Sequence, residues 1–405
     1  MDRRGLLRVA GAVAVCAAVL FALYRISLIP ITLPEEGSYT SGTATGLQLA
    51  VHVLLARTPS QGNDLGVDYA SAYSLTHRGN AYAHTSELVR DLHTSLAMPI
   101  PFANPHPPTA LPFVLPITLF TFARAAQLWA FAMVLTYIAT IALFAVRWPL
   151  AVALGIGLAI TLPGADGLTN VTPIIGFGVA LAYRYRDEPW LAGLGMAVAA
   201  APKWSGLVLL LPFLLSGRLK AVLWAAGMYG LLAAIPMALQ HDVWTRYLAD
   251  GLHGVAVSQA RPDNGAMVHQ LAQHWQVPTL MILAVLAGAA VFLALASGNT
   301  FWPVVWLMVA ALPIAWMYSL LTLLPIGVYV VTRRGTGLAS ALVITAAGLV
   351  LGTPGGGLWP VGVIPIVLGL MFVAVLAARG DAPEFSFGRL RVARRAALRP
   401  AEASD

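Results

Sequence analysis

Charge is scarce in this sequence. Only 10% of its 405 residues are Asp, Glu, Lys or Arg, whereas 59% are hydrophobic, a balance that excludes an ordinary water-soluble domain of this length. There is one cysteine, Cys16 in an apolar run, so no intrachain disulfide can form and the residue reads as packing. Lysine is reduced to Lys203 and Lys220. No Gly-x-x-x-x-Gly-Lys-Ser/Thr loop and no dinucleotide fingerprint occurs, which argues against a nucleotide-driven pump. Histidine and carboxylate spacings match no compact zinc signature, so no metal is expected. The lack of an evident internal repeat weakens an inverted-repeat transporter.

What the chain has in abundance is apolar sequence. Runs near the roughly 20 helical residues needed to cross a hydrocarbon core recur along nearly its whole length, and the mean hydropathy is positive. The expected class is an all-α polytopic membrane protein of about 11–13 spans. The first run, Val9 to Leu28, follows Met-Asp-Arg-Arg but lacks a small-residue cleavage site, so it reads as a retained helix. The net charge of +7 comes from arginines at the ends of apolar runs, which read as membrane anchors and not as a nucleic-acid surface. Arg3, Arg4, Arg184, Arg186, Arg218, Lys220, Arg333, Arg334 and the tail from Arg389 to Arg399 mark a cytoplasmic face, with both termini on it.

Those anchors leave two extracytoplasmic loops, about 29–107 and about 240–278, within a single transmembrane domain over 1–380, followed by a basic tail, 381–405, expected to be disordered. All nine histidines fall in these loops. Later spans are expected near Thr279–Ser297, Val304–Tyr318, Leu320–Val331, Leu338–Gly352 and Pro360–Ala378. If Pro108–Phe122, Ala125–Val146, Leu150–Pro163 and Thr172–Tyr183 all crossed, Arg184 and Arg186 would emerge on the wrong side. One segment is therefore expected to be a half-span, either the Pro112 and Pro116 segment or the Leu150 run. Trp190–Ser216, two short apolar arms around Ala201-Pro-Lys-Trp-Ser-Gly206, reads as a hairpin with Lys203 at its tip.

Several residues could carry chemistry. Asp68, in a polar loop reading Gly66-Val-Asp-Tyr-Ala-Ser-Ala-Tyr, is a carboxylate placed to take a proton from a hydroxyl; Asp64 is the rival base. Tyr69, Tyr73 and Tyr82 surround it in sequence, offering rings for stacking and hydroxyls for hydrogen bonds, although interfacial anchoring is the blander reading. His106 is held between prolines in Asn104-Pro-His-Pro-Pro108, a turn that could also fix a side chain near a substrate. Lys203 sits far from the membrane-end anchors, and a cation there costs about 2.5–3.5 kcal/mol on insertion scales, so a phosphate is a natural partner; snorkelling or a structural carboxylate is the alternative. Arg261 offers a planar donor fork suited to phosphate, with His269 and His274 following.

The ordered set of Val-Asp-Tyr-Ala-Ser-Ala-Tyr, Gly79-Asn-Ala-Tyr82, Pro107-Pro108, Asn170 in Gly167-Leu-Thr-Asn-Val, Ala201-Pro-Lys203 and Leu312-Pro-Ile-Ala-Trp316 resembles the polyprenyl-phosphate-dependent membrane glycosyltransferases of family 87, in the C-type superfamily, which includes actinobacterial mannosyl- and arabinofuranosyltransferases. The likeness runs from about Gly66 to Leu324. It implies a C-type glycosyltransferase helical bundle in the plasma membrane with an extracytoplasmic active site. Asp68 would be the general base, with Tyr69, Tyr73, Tyr82, His106, Asn170, Lys203, Arg261 and His269 binding substrate. The implied partners are a polyprenyl-phosphate sugar, a glycolipid or polysaccharide acceptor and membrane lipids, with no nucleic acid; the lipid-linked donor is itself the substrate, so no cofactor is implied. The family's Gly-Gln before the asparagine is absent, its Lys-Pro order is reversed, His106 stands where an aromatic residue is common, and the loop from Pro34 to Asn63 is longer. These departures leave mannose and arabinofuranose both open, mannose being preferred, and keep a lipid or sugar transporter and a non-catalytic envelope scaffold as other classes.

Overall fold

A computed structural model describes residues 31–35, 38–44, 63–77, 79–91, 103–144, 170–260, 276–312 and 322–333, with 151, 155, 266, 268, 269, 271 and 272 as isolated positions. The first apolar run, the spans expected after 334, the tail, Arg261, His274 and Pro313 to Trp316 lie outside the described residues.

The described chain is mostly helical. It opens with an antiparallel hairpin, β1 (Ile31–Glu35) and β2 (Ser38–Ala44), paired from Ile31 with Ala44 to Glu35 with Ser38, which an all-α expectation did not include. Next come α1 (Asn63–Thr76) and α2 (Thr85–Asp91), both inside the stretch expected to be an external loop. A broken segment follows: a 3-10 turn at Pro108–Ala110, α3 (Leu111–Val114) and a second 3-10 turn at Leu115–Leu119. Pro112 and Pro116 remove backbone donors, so a continuous helix cannot form there. At about 1.5 Å per residue the segment is too short to cross a hydrocarbon core of about 30 Å.

Among the described residues three helices are long and apolar enough to cross: the bulk of α4 (Phe122–Ala142), α8 (Leu219–Leu239) and α11 (Thr279–Ser297). They differ in surroundings. The α4 helix lies largely inside the protein, whereas α8 and α11 expose large side chains such as Leu223, Leu231, Leu280 and Phe292. An apolar exterior of this kind suits hydrocarbon better than water.

Between them, α5 (Thr172–Arg184) leads to α6 (Pro189–Ala200), then a 3-10 turn at Trp204–Leu209 and α7 (Leu210–Leu215). Both α5 and α6 carry proline in the first turn, where its missing N–H costs nothing. The α6 helix and the returning 3-10/α7 arm form a hairpin with Lys203 in its turn, as the flanking arginines suggest. Its outer ends meet: Arg218 pairs with Asp187 at 3.0 Å and donates to the Arg186 carbonyl at 3.0 Å. The α7 helix stops in a left-handed turn at Gly217 (φ 76°), with Arg218 N–H bonded to Phe213 O and Gly217 N–H to Leu214 O, the double bond pattern of a glycine-terminated helix. Each arm is about 18 Å long at helical rise, well short of a membrane crossing.

The remaining helices are α9 (Val243–Arg246), a π turn at Tyr247–Gly251, α10 (Leu252–Gln259), α12 (Phe301–Ala310) and α13 (Leu324–Arg333). One core gathers α1, α3, α4 and Tyr247; a second gathers α5, α6, α12 and α13 around Tyr183, Trp302 and Tyr329. Glycines let the helices of the second core approach. A Cβ at Gly195 would fall on the backbone of Ala182 and Gly178 in α5, and one at Gly193 on Trp224 and Ala225 in α8, so α6 is gripped on two sides through small residues. Gly195→Val is therefore expected to destabilise the protein by about 1–3 kcal/mol through forced separation of α5 and α6. Gly227→Ala on α8, where nothing lies within 4 Å, should stay within about 0.5 kcal/mol, as surface changes do; thermal unfolding in detergent separates the two.

Candidate functional site

Asp68 belongs to a helix and not to a loop, and its side chain is fully buried. In α1, positions 64, 68 and 71 share one face, so Asp64, Asp68 and Ser71 line up toward the Asn104–Pro108 segment and the start of α5. The Asn104 side chain donates to Asp68 Oδ1 at 2.9 Å and to Ser71 Oγ at 3.2 Å, while its own oxygen accepts the His106 N–H at 2.9 Å. His106 Nδ1 also lies 2.9 Å from Asp68 Oδ1. An ionised carboxylate only accepts, so this contact requires the hydrogen on Nδ1. Both contacts fall on the same oxygen. Asp68 Oδ2 is buried with no hydrogen-bond partner among the described residues.

Tyr82, also fully buried, donates its hydroxyl to the His106 carbonyl at 2.9 Å and so braces the proline-rich turn from behind. Burial first, then the neighbouring Tyr247 and Asp68, pushes this phenol well above its usual range, so it remains a donor. The Tyr82 ring packs on Tyr247 at 5.2 Å between centroids, and Tyr247 meets Trp204 at 5.6 Å. Tyr247 opens the π turn, and a Cβ at Gly251, which ends that turn, would meet the Tyr247 ring and the Asn104 carbonyl. Asp242, just ahead of α9, is held below the usual carboxylate range foremost by its hydrogen bond from Arg246.

Asp64 is engaged differently. Its Oδ2 accepts from Asn170 Nδ2 at 2.6 Å, and the Asn170 oxygen accepts the Thr172 N–H at 2.8 Å, so Asn170 ties α1 to the first turn of α5. Lys203 is half-buried at the hairpin turn and electrostatically coupled to both Asp64 and Asp68. Thr109 fixes that turn by donating to the Ala201 carbonyl at 2.7 Å. The structure thus brings Asp68, His106, Tyr82, Asn170 and Lys203 into one neighbourhood.

Other residues named from sequence lie apart. Tyr69 donates to the Phe120 carbonyl at 2.6 Å and packs edge-on against Phe122; Tyr73 stacks on His77 at 3.8 Å. Both sit on the side of α1 turned from Asp68, as about 100° per residue dictates. His269 is nearly buried with Nε2 unpartnered among the described residues, and loss of water lowers its affinity for a proton. Asn104, which sequence reasoning took only as part of a turn, makes three side-chain hydrogen bonds in the site. Among the described residues no three His, Cys, Asp or Glu side chains converge. Thr109→Val, which keeps shape but removes the donor to Ala201, should cost about 1 kcal/mol, read as a lower unfolding midpoint in detergent.

Comparison with known proteins gives one family. No curated protein and no solved structure matches the chain. The model of glycosyltransferase family 87 matches residues 104–311, more than half of the chain, starting at Asn104 and taking in His106, Asn170 and Lys203, while Asp68 lies outside it, 36 residues before its start. The chain therefore belongs to glycosyltransferase family 87 and is an enzyme that transfers glycosyl groups.

Proposed function

We propose that this enzyme moves a glycosyl residue, mannose before arabinofuranose, from a polyprenyl-phosphate sugar to a glycolipid or glycan acceptor at the extracytoplasmic face of the plasma membrane, with inversion. The observation that carries the reading is Asp68, buried yet with Oδ2 unpartnered among the described residues. An unpartnered carboxylate oxygen has a free lone pair for a proton. As the acceptor oxygen bonds to the anomeric carbon, its proton passes to Asp68 Oδ2. The bond from that carbon to the phosphate oxygen breaks, and its electron pair leaves with the polyprenyl phosphate.

The departing phosphate gains negative charge, and a cation already in place stabilises it without reorganisation. Lys203 has that role in this reading, with Arg261, which lies outside the described residues, as its partner. Burial disfavours the charge on Lys203, and the nearby Asp64 and Asp68 oppose that loss. The apolar flanks of α8 and α11 suit the lipid part of the donor and the surrounding bilayer. Asp64, held by Asn170, is a structural carboxylate in this scheme.

The test is sugar transfer by purified full-length protein from synthetic polyprenyl-phosphomannose and polyprenyl-phosphoarabinose to a panel of glycolipid acceptors. Asp68→Asn should lower turnover by about 10²–10⁴-fold, the usual worth of a general base. Lys203→Met should lower it by roughly 10²-fold or more, as loss of a preset charge does elsewhere. Undiminished transfer by Asp68→Asn removes Asp68 from the mechanism. A folded wild type inert with both donors removes the proposed donor class.

A further inference from the structure

Asp68 has two oxygens, and the fold treats them unequally. Asn104 Nδ2 and His106 Nδ1 both reach Oδ1 at 2.9 Å, and among the described residues Oδ2 is left bare in a fully buried side chain. A buried carboxylate oxygen without a partner is costly, so the arrangement has a stability penalty that a packing role alone would not justify. The two donors are themselves set by one residue. Asn104 orients His106 by accepting its N–H, and Ser71, one turn along α1 from Asp68, receives the second Asn104 amide contact. Tyr82 and Gly251 close the other sides of the same short segment.

We propose that Asn104 is the positioning residue of this enzyme: acting with the Nδ1–H of His106, it holds Asp68 by a single oxygen and so presents Oδ2 as the bare base. This rests on the reading of Asp68 given above and adds to it the device that aims the base. The amide supplies a donor to Asp68 and an acceptor to the His106 backbone from one planar group, which fixes the carboxylate's rotation relative to the turn. His106 has a side chain only 13% exposed and donates through the ring nitrogen nearer its backbone. An asparagine at 106 can place an amide N–H at nearly the same point, whereas a leucine cannot.

Two substitutions at His106 and one at Asn104 test this with polyprenyl-phosphomannose as donor and octyl α-mannoside as acceptor. Asn104→Asp is isosteric and still accepts the His106 N–H, but it turns the donor to Asp68 into an acceptor. It should lower kcat by about 10²-fold, the scale of a misaimed reacting group, with KM for both substrates little changed. His106→Asn should keep most of the wild-type kcat and His106→Leu should lose it, at equal unfolding midpoints. Wild-type kcat in Asn104→Asp, or equal losses in the two His106 variants, overturns the proposal.

A second measurement does not depend on turnover. In nitrogen-15 histidine spectra of the detergent-solubilised full-length protein, with the His106 signal assigned by its loss in His106→Asn, the ring should be the Nδ1–H tautomer and should lose that preference in Asp68→Asn. A ring carrying its hydrogen on Nε2 overturns the proposal whether or not sugar is transferred. An Nδ1–H ring in a protein inert with every donor would support the geometry while removing the transfer reading.

Discussion

A carboxylate withdrawn from water governs the architecture of this enzyme. Leaving a carboxyl group such as that of Asp68 in an apolar interior is tolerable only where hydrogen-bond partners replace the lost hydration, and the surrounding elements are arranged to deliver them. The proline-rich turn at Asn104–Pro108 supplies both donors, Tyr82 braces that turn through the His106 carbonyl, and the π turn at Tyr247–Gly251 lies against Asn104. Irregular backbone is found where polar groups must be aimed. The carboxylate itself is carried on the regular helix α1, around which these irregular segments pack.

The hairpin built from α6 and the returning arm to α7 follows the same division. Its inner face is set by glycine contacts with α5 and α8, which leave no slack for side-chain adjustment. Its polar element is confined to the turn at Lys203, tied through Thr109 and Ala201 to the segment that carries Asn104 and His106. Asp68 and Lys203 are thus carried by separate elements, joined through the hydrogen bond of Thr109 to Ala201.

Much of this was legible before the fold was known. The long apolar helices declare themselves by length and composition, and the Lys203 hairpin by two short arms between arginines. The helix carrying Asp68 was not visible as one: residues 65–72 are buried on every side, so no polar stripe alternates with an apolar one and the segment reads as a polar loop. Tyr69 and Tyr73 looked close to Asp68 because they are near in sequence, and helical rotation then carries them away. Asn104 was hidden for a different reason. An asparagine ahead of a proline has an ample local explanation as a turn residue, and its contact with a carboxylate 36 residues earlier leaves no local trace. The β1–β2 hairpin was missed because the long polar loop around it gave no alternating apolar pattern.

The clasp of Arg218 on Asp187 and Arg186 joins the two outer ends of the hairpin, and this makes the hairpin a strut of set height. Lys203 stands about 18 Å from the clasp because helical rise says so, irrespective of what surrounds the protein. A bilayer that thickens or thins would therefore shift the opposite surface relative to the lysine while the distance to the arginine side stayed constant. The hairpin thus carries its own ruler for the depth of Lys203, and a surrounding membrane has to come to it.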